Sequence, residues 1–453
     1  MRVRSACLVA MLVVLGQRAG LAQGTPAVSG LRVGAAKVDV TPSERELPRN
    51  SQGILDHLFA RAIVLDNGAA RAALISVDAG AIPDSLWQTV SRQLQAELQI
   101  PPANVLLTAT HTHSAGGGRG PDYARKIVES VRLARQKLAP ARVGYGTGVS
   151  YINVNRQIID PKTHRWWEGP NYEGPSDKTV AVMKFETLGG EPIAVYYNYA
   201  VHAVLAGQLD QISADIPGAA SRYVEDSFDG RIVALWSSGA AGDQNPIYFQ
   251  QTYDLREIRI KDYATRGIDI SNAMPPGGEG LDRKDPTVAR LMNQQRQMVA
   301  SMGQFLAEEV MHVMRGVERT ATAVRLSGSD TIVQCPGRER TNDGRAGFEG
   351  TYKDAPPVAI RLGLLRIGDV MIGAVNAEVF NPIAQRLKRE SPFAETMMAT
   401  LTNGSARSGY IPDDASFGKY TFEVLSSRLQ PGCAESAIVN GILDLIRDSR
   451  QRD

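Results

Sequence analysis

Two of the chain's six histidines fall in Thr110-His111-Thr112-His113-Ser114, with Gly116, Gly117 and Gly118 close behind. Side chains alternate along a strand, so His111 and His113 are expected on one face at a strand end, reaching into whatever opens there. That is ligand geometry for a metal, although such a pair also occurs as a purely structural one. The glycines let a substrate or another backbone come close. A third histidine, His202, ends the apolar run Tyr196-Tyr197-Asn198-Tyr199-Ala200-Val201. Taken singly it reads as a satisfied core histidine. Together with the other two it supplies the nitrogen that a catalytic zinc site needs, with an acidic residue still required from elsewhere. Downstream, Ser238-Gly239-Ala240-Ala241-Gly242-Asp243-Gln244-Asn245-Pro246 is a small-residue turn dense in hydrogen-bonding groups. Such a turn either lines a site or satisfies its own backbone.

The elements that must position these residues alternate between short apolar runs and amphipathic stretches, which predicts an α/β or mixed α+β domain. Strands are expected at Ala72 to Val77, Val105 to Thr110, Val180 to Phe185, Ile193 to Val201, Ile232 to Trp236 and Val370 to Val375. Helices are expected from Asp84 to Leu98, Pro121 to Leu138 and Pro217 to Ser227, each opened by proline or an acidic residue suited to a first turn. The longest is expected from Pro286 to about Arg315, with Asp285 as N-cap, Gly316 as terminator, and Val288, Leu291, Met298, Met302, Phe305, Val310 and Val313 as its apolar face. The polar stretch between Ile247 and Asp285, with Pro275-Pro276-Gly277-Gly278, reads as a long excursion that covers a site, makes a subunit contact or merely decorates the surface.

The composition narrows the function class. The chain has 453 residues, 43% apolar, and 50 Lys plus Arg against 48 Asp plus Glu, so no bulk positive charge is available for a nucleic-acid partner. Residues 1–22 read as an export signal: Arg2 and Arg4 precede the apolar run Ala6 to Leu15, and Gly20-Leu21-Ala22 offers small residues to a signal peptidase. The run is well short of the roughly 20 apolar residues of a membrane span, so no transmembrane anchor is expected once it is removed. Cleavage leaves two cysteines, Cys335 and Cys433, which in an oxidising compartment either pair across a long loop or stay as buried thiols.

A set of fragments spread over the whole mature sequence resembles the catalytic domain of the neutral, non-lysosomal ceramidases. In order, they are Gly34-Ala35-Ala36-Lys37-Val38-Asp39-Val40-Thr41-Pro42, the Thr-His-Thr-His-Ser segment with its glycines, Val154-Asn155-Arg156, and Asn198-Tyr199-Ala200-Val201-His202. Ser213-Ala214-Asp215-Ile216-Pro217-Gly218, Gly242-Asp243, Asn376-Ala377-Glu378-Val379-Phe380 and Ser408-Gly409-Tyr410 complete it. Each fragment is weak alone, and the ordered set is specific.

The resemblance implies a ceramidase-type catalytic domain spanning residues 30–450, with sheets flanked by helices and a zinc site at strand ends. It implies one zinc ion held by His111, His202, Glu378 and Tyr410, with a water in the open position; the tyrosine ligand rests on the family alone. His113 then lies near the water, and Arg156 faces the reacting carbonyl. Zinc lowers the pKa of bound water from 15.7 toward about 7, which provides a nucleophile for an amide carbonyl at neutral pH. His113 can pass the proton to the leaving amine, and Arg156 with a tyrosine hydroxyl can stabilise the oxyanion by roughly 3 kcal/mol per donor. Read without the family, Arg156 is equally a surface ion pair.

Two departures bear on substrate. Where the family carries a serine after Gly-Asp-Val, this chain has Asn245 preceded by Gln244; an amide can donate a hydrogen bond to an oxyanion but cannot serve as a nucleophile. Counting to the family's second tyrosine leads to Phe422, and the role is assigned to the neighbouring Tyr420 with a two-residue shift. The β-sandwich of the longer ceramidases is not expected, because only one amphipathic segment, Glu435 to Arg447, follows. The expectation is a periplasmic or secreted zinc amidohydrolase acting on a ceramide-like N-acyl bond, with peripheral membrane contact open. The alternatives are a zinc esterase or other hydrolase on a non-lipid substrate, for which the polar 247–285 stretch argues, and a metal-bearing binding protein without turnover.

Overall fold

Why some strands of this chain are apolar throughout becomes plain from the layers that cover them. The computed structural model describes residues 30–116, 122–271, 274–343 and 345–451. The expected export signal and the Gly117, Gly118 and Pro121 positions lie outside them. The central sheet has eight strands, in the spatial order Val233–Ser238, Pro192–Tyr199, Thr179–Thr187, Ala139–Val149, Arg32–Asp39, Phe59–Asp66, Arg71–Val77 and Val105–Ala109. The two outermost pairs are parallel and the inner pairs antiparallel. A second sheet of four strands, Leu326–Arg340, Tyr352–Ile367, Val370–Val375 and Thr396–Ala399, packs against one of its faces.

Consecutive residues of the central strands therefore enter different cores. Tyr196 joins the core between the two sheets, whereas Tyr197 packs with Trp236 beneath the helices Asp215–Asp226 and Pro286–Gly316. Helices Asp84–Leu98 and Tyr123–Gln136 cover the other half of that outer face, and Asn381–Glu390 and Ala434–Gln451 cover the outer face of the four-stranded sheet. The result is four layers, helix on sheet on sheet on helix, a mixed α/β architecture as expected. Burial on both faces is what makes the strand sequences nearly continuous in apolar residues.

The expected strands and helices are found with small shifts at their ends. The Pro286–Gly316 helix begins as its sequence requires, with the Asp285 carboxylate accepting from the backbone N–H groups of Thr287 and Val288. Gly303 lets this helix close on Asp215–Asp226, since a Cβ there would lie 2.4 Å from that of Ala219. One residue of its expected apolar face is corrected: Phe305 is 61% exposed. At about 100° per residue it stands off the stripe made by Val299, Met302, Leu306 and Val310.

The Ile247 to Asp285 stretch is also corrected. It is no plain excursion, because it contains the helix Gln250–Thr265, of which Thr252, Leu255 and Arg259 are the buried residues. So few apolar positions leave no stripe for periodicity to find. The two mature cysteines are joined, Cys335 to Cys433 with Cα atoms 5.8 Å apart, which ties the long Leu326–Arg340 strand to the start of the C-terminal helix across 98 residues. Among the described residues no helix is long and apolar enough to cross a membrane.

Because a cross-link over so long a loop restricts the unfolded chain strongly, the paired change Cys335→Ser with Cys433→Ser is expected to cost about 2–4 kcal/mol. Urea unfolding with and without the pair would read this as a lower midpoint at similar slope. An unchanged midpoint would contradict it.

Candidate metal centre

His111 and His113 do not alternate on a strand as expected. The Val105–Ala109 strand ends two residues earlier, and His111 adopts a left-handed backbone with φ of +66°. The turn is pinned by backbone bonds from Thr110 N–H to Val77, from His111 N–H to Ala79 and from His113 N–H to Ala203. The imidazoles are thus presented by a strained turn, with ring centroids 4.9 Å apart. His202 follows the Pro192–Tyr199 strand, and its ring lies 4.8 Å from that of His111. One nitrogen from each of the three histidines falls within 4.8 Å of the others; His111 and His202 are buried and His113 is exposed.

The second nitrogens decide where the first ones face. A carbonyl oxygen can only accept, so Nδ1 of His111 donates to Gly80 at 2.8 Å, and Nδ1 of His202 donates to Gln244 at 2.9 Å. Nε2 of each ring therefore faces inward: that of His202 is unprotonated, while His111, disfavoured as a cation by burial, has its pKa raised by the Glu378 charge and hydrogen bond. These two atoms converge on one oxygen, Glu378 Oε1, at 3.2 Å and 2.6 Å. The shorter approach lacks hydrogen-bond alignment: Nε2 of His202 is buried with no hydrogen-bond partner. An orphaned imidazole nitrogen beside a carboxylate, with each ring steered by a carbonyl behind it, offers donors and outer support that would suit a divalent metal. Burial, and then the nearby Arg156, push His202 down to about 4, so its ring stays neutral at ordinary pH. Burial works to raise Glu378, yet the flanking His111 and His202 hold its carboxyl well below the usual range.

Glu378 and Tyr410 meet through a two-stranded parallel ladder in which they are register partners, Glu378–Val379 alongside Tyr410–Ile411. Gly242 N–H donates to Val379, and a side chain at Gly242 would crowd the Val379 backbone at 3.0 Å. The turn rich in small residues thus passes directly behind the carboxylate strand.

Arg156 is no surface ion pair, being only 3% exposed. Its Nε donates to Glu423 at 2.6 Å, Nη1 to Asn245 at 3.1 Å, and Nη2 to the Gly242 carbonyl at 2.7 Å and the Tyr410 hydroxyl at 3.3 Å. Burial opposes its charge, but Glu423, then Tyr410 and Glu168, keep the guanidinium pKa well above its ordinary value. Asn245 uses its oxygen for Arg156 and its amide nitrogen for Glu168 at 3.0 Å and Tyr253 at 3.2 Å. Its polar atoms are therefore turned into the frame around Arg156.

Tyr420 and Phe422, the two residues considered for the family's second tyrosine, are held differently. Tyr420 sits in a left-handed turn and gives its backbone carbonyl to Gly347, whereas the ring of Phe422 stands against Tyr410 at 5.8 Å and under Arg156 at 5.0 Å.

Three acidic residues with clear structural roles escaped the sequence reading. Glu423 anchors Arg156 from 267 residues away, with no motif to mark it. Glu168 links Asn245 to Arg256, at 3.0 Å from each. Asp243, within a quoted fragment, accepts from Asn155 at 3.0 Å and from the Asn381 backbone at 2.8 Å, and burial pushes it up to about 7. Beside this network lies a cavity of about 300 Å³ walled by Trp167, Phe249, Tyr253, Met274 and Phe422, with Glu168 and Arg256 at its polar edge.

Residues 32–347 match the family described as "Neutral/alkaline non-lysosomal ceramidase, N-terminal". The chain is 24% identical over 357 residues to a neutral ceramidase of Drosophila pseudoobscura pseudoobscura, covering 70% of this chain and 48% of that protein. It is 27% identical over 276 residues to a neutral ceramidase of Pseudomonas aeruginosa, covering 51% and 41%. The chain thus spans about half, or less, of the length of the curated relatives it matches. Among solved structures, "Crystal Structure Analysis of neutral ceramidase from Pseudomonas aeruginosa" superposes with a TM-score of 0.70 at 19% identity over 94% of this chain and 75% of that one. "Ceramidase complexed with C2" gives the same TM-score at 18% identity, over 94% and 76%. At such identity these superpositions establish the fold, and the sequence match over most of the described residues establishes the lineage: the chain belongs to the neutral/alkaline non-lysosomal ceramidase family, through its N-terminal domain.

Proposed function

We propose that this chain is an exported, zinc-dependent amidohydrolase that cleaves the N-acyl bond of a ceramide-like substrate within a single catalytic domain over residues 30–450. The observation that carries the reading is the convergence of His111 Nε2 and the orphaned His202 Nε2 on Glu378 Oε1, with Arg156 and Tyr410 alongside. His111, His202, Glu378 and Tyr410 would hold the metal. Zinc supplies Lewis acidity and brings the ionisation of water from a pKa of 15.7 toward about 7.

The chain's own groups do the rest. His113, exposed beside the two buried imidazoles, takes the proton that water loses as its oxygen bonds to the acyl carbon. It returns that proton to the amine nitrogen as the carbon–nitrogen bond breaks. Arg156 has five N–H groups and four acceptors in the protein, so one N–H on Nη1 remains to meet the oxyanion. Tyr410 accepts from Arg156, which orients its hydroxyl. Asn245 serves by holding Arg156, since its own donors are committed to Glu168 and Tyr253.

The wall of Trp167, Phe249, Tyr253, Met274 and Phe422 favours an apolar acyl or alkyl group, and Phe249, Tyr253 and Met274 come from the stretch whose polarity argued for a non-lipid substrate. At about 300 Å³ the cavity is at the small end for ligand sites, so a long chain must extend beyond it. The Cys335–Cys433 bond suits the oxidising compartment that export would reach.

Chelation is expected to abolish hydrolysis of a fluorogenic N-acyl substrate and added zinc to restore it; activity indifferent to chelators would overturn the proposal. Glu423→Gln removes the charge that fixes Arg156 without touching a metal donor, and should lower kcat by about 10²-fold at unchanged zinc content. Loss of zinc in that variant would contradict the positioning role. Asn245→Ser breaks the bridge from Arg156 to Glu168 and is expected to lower turnover by about tenfold. A rise in turnover on ceramide would mean that the hydroxyl acts directly.

A further inference from the structure

A cavity of about 920 Å³ is a different space from the candidate metal centre, and none of the proposed ligands lines it. One wall is cationic and includes Arg338, Arg340, Arg361, Arg407 and Arg428. The lining also holds apolar residues, Ile332 and the Ala355-Pro356-Pro357-Val358-Ala359 stretch. The acidic residues on the lining, Asp84 and Glu339, are already engaged. Glu339 pairs with Lys353 at 3.1 Å, and Asp84 lies 3.7 Å from Arg361 and accepts from the Ser405 N–H at 3.2 Å. Arg338 is likewise committed, to the carbonyls of Ser427 and Val424 and to the face of Tyr352. Arg340, Arg407 and Arg428 are exposed and have no acidic partner among the described residues.

A second observation points the same way. Ser427 is 2% exposed on this lining, and its Oγ is buried with no hydrogen-bond partner. A buried hydroxyl left unmatched beside unpaired guanidinium groups lacks an acceptor, and three free forks suit a doubly charged oxyanion better than a single carboxylate. The volume exceeds what a bare phosphate fills, and Ile332, Pro356, Pro357 and Val358 on the lining leave apolar surface for the rest of a ligand. We propose that this cavity binds a phosphate monoester carried on an apolar body.

The cavity is joined to the metal centre along the chain. Asn376, on its lining, accepts from Arg361 N–H at 2.9 Å and from Ala406 N–H at 2.7 Å, two residues before Glu378. Arg428 N–H donates to Ser408, two residues before Tyr410, and Arg338 holds the carbonyl of Val424, next to Glu423.

The test uses the full mature chain with its metal. In calorimetric titration, octyl phosphate below its micelle concentration should bind with defined stoichiometry, more tightly than inorganic phosphate or octyltrimethylammonium. Arg407→Gln combined with Arg428→Gln should weaken it by about tenfold or more, and so should raising the salt, because the two arginines are exposed. Hydrogen exchange on the unaltered chain should show octyl phosphate protecting residues 405–407 and 425–428. Vesicles of phosphatidylcholine with and without phosphatidic acid separate the sources. Recruitment that depends on both phosphatidic acid and the arginines assigns the site to a lipid headgroup, and binding of the monomer alone assigns it to a soluble ester. Equal affinity in the paired variant, equal binding of octyltrimethylammonium, or protection only around His111 and His202 would overturn the proposal.

Discussion

Placing the Glu378 carboxylate where its side chain is only 16% exposed costs several kcal/mol unless positive charge or donors surround it. Much of the site can be understood as the answer to that cost. Two imidazoles approach one of its oxygens, and a guanidinium lies in the same cluster. Those compensating groups are constrained in turn. The imidazoles are steered by Gly80 and Gln244, and the guanidinium is fixed by Glu423, Asn245 and Gly242. A metal ion would add charge of the right sign to the same point, so a cluster that balances a buried carboxylate also suits a cation.

The four layers explain why this meeting point is stiff. His111 and His202 leave the ends of strands on opposite sides of the central sheet order, Val105–Ala109 at one edge and Pro192–Tyr199 next to the other. Glu378 and Tyr410 come from a separate small ladder beyond the second sheet. The strands are buried on both faces, so none can shift without disturbing two cores. Positioning on strand ends gives tighter geometry than free loops provide. The backbone bonds from Gly242 to Val379 and from Arg156 to Asp243 stitch the turn behind Glu378 to the strand that carries Arg156.

Much of the scaffold was legible because a strand or helix announces itself within a window of about ten residues. Val370–Val375 and Asp84–Leu98 were read to the residue, and Asp285-Pro286 marked the start of the longest helix. The helix Gln250–Thr265 was not, because its buried face is narrow and includes Thr252 and Arg259. The residues of the candidate site were legible as types. His111, His113 and His202 stood out as rare residues at strand ends, and Glu378 and Tyr410 only through likeness to a family.

What the sequence determined by itself was the local pattern, the mixed α/β class, the lineage and the inventory of reactive groups. Which of those groups meet was settled only in three dimensions, because His111 and Glu378 are 267 residues apart and their approach depends on sheet order and register. The same holds for the joining of Cys335 to Cys433, for Phe422 rather than Tyr420 against Tyr410, and for Asn245 bracing Arg156. Each is a contact between segments whose separate sequences carry no trace of the partner, and packing alone selects it.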